Sequence, residues 1–179
     1  QPERLTHGRA DTCFLRDAKT PMTKEEVREV SICKLNLTQN AVVYDIGSGT
    51  GSVAIEIAGV PGGVQVYAIE RKPEAVELLR KNRAHFHMDN IQIIEAPAPE
   101  GLEELPVPTH AFIGGSGGRL LDVLQTLYRK NPHMRIVINA ISMETIAELK
   151  EVLDTFPMEE EEILQMQVSR VKKLLSYHL

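Results

Sequence analysis

Tryptophan is absent from the 179 residues, and aromatic side chains make up only 4% of them. Stacking platforms for nucleobases are therefore scarce. Positive charge is also in deficit: 20 Lys and Arg stand against 25 Asp and Glu, a formal net charge of −5. Phosphate backbones call for a basic surface, so no nucleic-acid partner is expected. No apolar run approaches the roughly 20 residues of a membrane span, and no membrane partner is expected. The opening Gln1-Pro2-Glu3-Arg4-Leu5 lacks the apolar core of a signal peptide, so the expected location is cytoplasmic. Cysteine occurs only as Cys13 and Cys33, without metal-ligand spacing. Free, buried thiols are expected in preference to a disulfide, and no metal site is expected. What remains is 42% hydrophobic and 25% charged, ordinary for one globular domain of this length.

The chain is organised around Val42-Val43-Tyr44-Asp45-Ile46-Gly47-Ser48-Gly49-Thr50-Gly51. A β-branched run reaches an acid, glycines fall on alternate positions, and Ser52–Ala58 follows with helical character. The pattern predicts a strand, a tight glycine turn and a helix whose opening amides face a ligand. A dinucleotide fingerprint would place its third glycine one residue later, where Ser52 stands, and a P-loop would end in Gly-Lys-Ser/Thr. The arrangement Asp-x-Gly-x-Gly-x-Gly resembles motif I of class I S-adenosylmethionine-dependent methyltransferases. A second β-rich run, Val64–Glu70, also ends in an acid. A carboxylate at that strand tip can accept both ribose hydroxyls of a nucleoside.

Residues 1–20 are polar and irregular; a loose arm and a lid over the pocket are both open readings. Thr23 and Glu26 have capping-box spacing, and Val27, Val30, Ser31 and Leu35 give the following helix its apolar side, up to about Asn36. Strands are expected near 41–45, 64–70, 91–94, 110–113 and 135–139. Helices are expected near 52–58, 74–87, 120–128 and 143–155. In the second of these helices Val76, Leu78, Leu79 and Phe86 face inward, in the third Leu120, Leu121, Val123, Leu124 and Leu127, and in the fourth Ile146, Leu149, Val152 and Leu153. His85 and His87 are two apart, which turns them away from one another on a helix. Residues 163–171 alternate and predict a further strand.

Strands alternating with helices argue a parallel sheet covered on both faces, with ligands bound at the strands' carboxyl ends. Asp45–Gly51, Glu70, Pro97–Ala98, Gly114–Gly118 and Asn139 all fall there. The expected fold is the Rossmann-like, doubly wound α/β class: a mainly parallel seven-stranded sheet in a single domain, residues 1–179. Its last strand is cut short at Leu179, as in a truncated chain or a piece of a longer fused protein.

Beyond motif I, three segments are specific: Pro21-Met22-Thr23-Lys24-Glu25-Glu26-Val27-Arg28, Phe112-Ile113-Gly114-Gly115-Ser116-Gly117-Gly118, and Ser169-Arg170. Together they resemble the CbiT-type precorrin and cobalt-precorrin C-15 methyltransferases, also found as the C-terminal half of precorrin-6Y C-5,15-methyltransferases. The resemblance covers about Asp11 to Leu179. It implies S-adenosylmethionine as methyl donor, S-adenosylhomocysteine as product, and a tetrapyrrole substrate. Carbon 15 is methylated and the carbon-12 acetate loses carbon dioxide. It further implies a homotetramer and a partner or fused domain of CbiE type that methylates carbon 5. A meso carbon of a reduced tetrapyrrole is an enamine-like nucleophile. It needs alignment with the methyl group at roughly 3–3.5 Å rather than a strong base, so no catalytic residue is assigned.

Carried onto this sequence, the cofactor-binding set is Thr23, Asp45, Gly47, Ser48, Gly49, Thr50, Gly51, Glu70, Arg71, Pro97 and Ala98. Asp45 orients the turn or meets the amino-acid part of the cofactor. Glu70 takes the ribose, Arg71 flanks the adenosine, and Thr23 covers the cofactor from the first helix. An acid that bonds adenine in many relatives is replaced by Pro97, which leaves the Ala98 amide for that task. The substrate-binding set is Gly114, Gly115, Ser116, Gly117, Gly118, Arg119 and Asn139. Its glycines can form an amide nest for a carboxylate. Arg16, Lys19, Arg119 and Arg170 are the candidate cations for a polycarboxylate, and Asn139 is either a pocket group or a helix cap.

Three other readings compete. A methyltransferase for RNA or another small molecule lacks its Pro-Pro-aromatic motif here. A nicotinamide oxidoreductase conflicts with Gly51, and calorimetry with NAD and with S-adenosylhomocysteine separates the two. A non-enzymatic binding protein of the same fold has Pro97 as its best support.

Overall fold

The computed structural model describes residues 6–171, 173–174 and 177–178. Helix α1 (Glu25–Leu35) stops where Asn36 turns left-handed, at φ 48°. Then follow β1 (Val42–Ile46), α2 (Ser52–Ala58), β2 (Gln65–Glu70), α3 (Pro73–His85), β3 (Ile91–Glu95), β4 (His110–Ile113), α4 (Leu120–Lys130), β5 (Arg135–Ile138) and α5 (Met143–Thr155). Pro73 opens α3 because its fixed φ suits a first helical residue and its missing N–H has no partner to lose there.

The five strands form one parallel sheet in the order β3-β2-β1-β4-β5. The chain therefore reverses direction across the sheet between β1 and β4, which puts a crevice at their carboxyl ends. Alternation along the strands divides the interior in two. Val43 with Val66 and Ala68 packs under α1, α2 and α3 through Leu35, Ile55 and Leu79. Tyr44, Ile46 and Ile113 pack on the other face against Leu120, Val123, Leu124 and Leu127 of α4 and Val152 of α5. Asp45 shares the side of Val43, which aims it at the start of α2.

The structure corrects several expectations. No side chain caps α1, whose N-cap is Lys24; the Thr23–Glu26 box is not made. The buried face of α1 is Arg28, Ser31, Ile32 and Leu35, because the N-terminal arm takes the Arg28 guanidinium inward. Leu121 is 38% exposed and Ile146 47% exposed, while Leu149 and Leu153 are half-buried. β5 is half-buried along its length, so α5 covers an edge and not a centre. Residues 163–171 carry no strand: a period-2 pattern forms one only where a neighbouring ladder takes its backbone groups. Lys173–Leu174 and Tyr177–His178 pair antiparallel in a separate two-stranded ribbon, so the described sheet has five strands and not seven. Cys13 and Cys33 are free, as expected, but both are exposed.

Candidate functional site

Each glycine after β1 meets a different part of the molecule. At Gly47 (φ +74°) a Cβ would lie 2.5 Å from the Gly115 carbonyl oxygen, so the two glycine turns touch main chain to main chain. At Gly49 (φ +57°) a Cβ would lie 2.9 Å from the Pro21 carbonyl oxygen, which brings the N-terminal arm onto the turn. At Gly51 it would strike Leu79 Cδ1 of α3 at 2.2 Å. The turn is held from β2, where the Ile69 carbonyl accepts the Gly47 and Ser48 amides at 3.0 and 3.1 Å.

Asp45 is fully buried. It accepts a 2.7 Å bond from the Ser48 hydroxyl, and the Ala54 amide in the first turn of α2 helps to stabilise its charged form. Its Oδ1 has no partner among the described residues. Burial pushes its carboxyl up to about 7, with the nearby Glu70 charge a smaller contribution. Of its two expected roles, the observed bonds are those of orienting the turn. Thr50 is buried, with its carbonyl accepting from Asn82 at 2.9 Å and its hydroxyl without a partner among the described residues.

Glu70 ends β2 and is 8% exposed. One oxygen accepts the Gly49 amide at 2.9 Å, and the other accepts the Arg71 and Lys72 amides at 2.9 and 3.0 Å. It thus fixes the glycine turn and the loop into α3 together. Across from it, the Ala98 amide has no partner among the described residues.

These loops enclose a cavity of about 310 Å³. Its lining includes Gly47, Gly49, Glu70, Arg71, Pro97, Ala98, Gly114, Gly115, Ser116, Gly117 and Arg119 from the expected sets. Lys19, Thr20 and Pro21 of the arm line it too, which favours the lid over the loose arm. A larger groove, about 470 Å³, runs along the β3 edge between Tyr67 and Arg80, but it meets neither glycine turn. Thr23, Asp45, Ser48, Thr50, Gly51, Gly118 and Asn139 are not in the cavity wall. Thr23 instead gives its carbonyl to Arg28, and Asn139 accepts a 3.2 Å bond from Ser31 of α1. Two candidate cations are already paired: Arg119 with Glu100 and Asp122, Arg170 with Glu26 and Glu25.

Three buried polar residues escape a reading of the sequence. Glu56 is fully buried in α2 and accepts the Gly8 and Arg9 amides and the Arg9 guanidinium. Asn82 of α3 bonds both backbone groups of Leu15 as well as the Thr50 carbonyl, tying arm to turn. Arg28 is fully buried against Asp11, two carbonyls and the Phe14 ring. Only Glu56 leaves a trace in the sequence, as an acid inside the apolar run Val53–Ala58.

Comparison with known proteins agrees with this geometry. The family model described as a precorrin methyltransferase domain matches residues 12–178. The chain is 39% identical, over 137 residues, to the cobalt-precorrin-6B C(15)-methyltransferase (decarboxylating) of Salmonella typhimurium, covering 76% of this chain and 70% of that one. It is similar to the solved precorrin 8W decarboxylase of Methanobacterium thermoautotrophicum, at 34% identity and a TM-score of 0.88, covering 95% and 91%. It is also similar to the precorrin-6y C5,15-methyltransferase of Geobacter metallireducens, at 38% identity and a TM-score of 0.78, covering 83% and 79%. With a crevice of two touching glycine turns, a strand-end acid and this breadth of likeness, the chain belongs to the precorrin methyltransferase family.

Proposed function

We propose that the protein transfers a methyl group from S-adenosylmethionine to carbon 15 of a precorrin-6 or cobalt-precorrin-6 macrocycle, with loss of carbon dioxide from the carbon-12 acetate, in corrin biosynthesis. The observation that carries this reading is the cavity where the Asp45–Gly51 turn, Glu70 and the Gly114–Gly118 loop meet. Its residues suit a nucleoside cofactor. The Glu70 oxygen that takes the Gly49 amide has a further lone pair for a ribose hydroxyl. The Ala98 amide is open for an adenine ring nitrogen, in place of the acid that Pro97 replaces. Gly115 faces open space on the cavity side, so nothing blocks a ligand from main chain there. Asp45, Ser48, Thr50 and Gly51 act from behind, holding the turn in shape.

When bound, the cofactor supplies an electrophilic methyl group on a sulfonium. The chain's own task is alignment of that methyl with a nucleophilic meso carbon, and no side chain in the cavity wall is required as a base. Methylation leaves positive charge on the conjugated ring. The electron pair released as the acetate carbon–carboxyl bond breaks then neutralises that charge, so the substrate is its own electron sink. A homotetramer, a CbiE-type partner and a cytoplasmic location complete the reading. Incubation of the protein with S-adenosylmethionine and the precorrin, followed by mass spectrometry, tests it. The expected product has gained one methyl and lost one carbon dioxide; a product with neither change refutes the reaction.

A further inference from the structure

Arg71 lines the cavity, and its side chain reaches beyond the strand end from which it starts. Its guanidinium crosses the cavity to the Gly114–Gly118 loop, where a Cβ on Gly117 would lie 3.4 Å from Arg71 Cζ and Nη1. Gly117 is left-handed at φ +61°, so a bare backbone is what permits both the turn and this close approach. Nothing in the described residues bonds or pairs with the Arg71 side chain, whereas four other arginines are held by carboxylates. Arg80 pairs with Glu95, Arg119 with Glu100, Arg129 with Glu103 and Arg170 with Glu26. The amides of Ser116, Gly117 and Gly118 are also without partners among the described residues.

We propose that Arg71 and the open amides of Ser116 and Gly117 form a carboxylate-binding site that anchors one acidic side chain of the substrate. Arg71 is then a specificity-determining residue on the substrate side of the cavity, in place of a flank for the adenosine. A guanidinium offers a planar fork of donors that fits a carboxylate, and successive free amides cup the same kind of anion. The surrounding charges favour it. Lys19 and Lys72 line the same cavity, and neither is in an ion pair among the described residues. Asp17 is occupied by the Lys19 and Thr20 amides, Glu70 by three amides, and Glu100 and Asp122 by Arg119. Glu74 is the one lining carboxylate left uncommitted. In a chain of net charge −5, the cavity wall itself carries four cations, Lys19, Arg71, Lys72 and Arg119, against two carboxylates, Glu70 and Glu74, a local positive focus for a polyanion.

The inference rests on the proposed function, and its test is separable from it. Protein loaded with S-adenosylhomocysteine is titrated with uroporphyrin, a stable tetrapyrrole polycarboxylate. Arg71→Ala, Arg71→Lys and the remote control Lys81→Ala are compared with the unaltered chain. Arg71→Ala is expected to weaken uroporphyrin binding about tenfold or more, and to flatten its salt dependence. Arg71→Lys keeps the charge without the fork and falls between. S-adenosylhomocysteine affinity stays unchanged in all of them, and with precorrin Arg71→Ala raises KM more than it lowers kcat. No uroporphyrin binding by the unaltered chain, or equal binding by Arg71→Ala, overturns the site. Lost S-adenosylhomocysteine affinity with tetrapyrrole binding intact overturns it too, and returns Arg71 to the adenosine. A failure of methyl transfer by the unaltered chain would sink the proposed reaction and leave this binding comparison standing.

Discussion

Asp45 and Glu70 are both acids at strand ends, yet burial gives them different work. Asp45 is sealed behind the turn with one oxygen bare, and its carboxyl is pushed up to about 7 from an ordinary 3.8. The folded state therefore holds this proton more tightly than the unfolded chain does. The stability that follows is complete below the unfolded value and is lost as pH rises through the folded one. Asp45→Asn imitates the protonated form. Melting temperatures of the two proteins are expected to coincide near pH ~4 and to diverge toward pH ~7, with the unaltered chain falling behind. A difference that does not vary with pH would show that Asp45 does not titrate in this window. Glu70, by contrast, reaches the cavity while bonding three amides. Glu70→Ala should weaken S-adenosylhomocysteine binding by about 1–3 kcal/mol, as loss of a charged hydrogen bond does. Calorimetry decides, and unchanged affinity removes the ribose assignment. Both acids were legible from position alone, as the last polar residues of apolar runs. That Asp45 faces α2 was not, because the sequence does not say which side of the sheet the next helix covers.

Among the elements, the glycine turn and the arm set the cavity's shape. Gly51 is where α2 packs on α3: a methyl there meets Leu79 Cδ1 at 2.2 Å, with φ at +81°. Gly51→Ala should cost about 1–3 kcal/mol in urea unfolding by overpacking. Part of that should return in Gly51→Ala with Leu79→Val, since the two sites share one contact; strict additivity would mean that the strain lies in the backbone alone. The arm is a second element held by buried charge. Glu56→Ala removes the partner of the Arg9 guanidinium and of two amides. A loss of about 3 kcal/mol is expected, with early proteolysis N-terminal to Pro21; an arm as resistant as before would argue against this anchorage. Turn and helix limits were readable because glycine spacing and apolar period are local. The capping box at Thr23 was readable and wrong, because Arg28 takes the Thr23 carbonyl and α1 begins beyond it.

At the scale of the whole molecule, the reversal of strand order between β1 and β4 places every cavity loop at one end of the sheet. Past β5, apolar side chains are open: Ile141 is 95% exposed, Met143 76% and Ile163 72%. Large apolar side chains left this exposed are suited to an interface, in keeping with the proposed tetramer. Light scattering should report a mass of several chains, reduced by Ile141→Asp with Ile163→Asp; an unaltered chain that runs as a monomer refutes the tetramer. By itself the sequence determined the alternation of strands and helices, the glycine turn and the acids that mark the strand tips, because each depends on neighbours within a few residues. The same motifs carried the family resemblance. Only the tertiary structure decided that Arg28 turns inward, that Asn139 answers Ser31, that residues 163–171 join no strand ladder, and that Arg71, among the described residues, has no ion pair while Arg119 and Arg170 do. Those outcomes are competitions for partners far away along the chain, and a charge's availability is settled by what folds beside it.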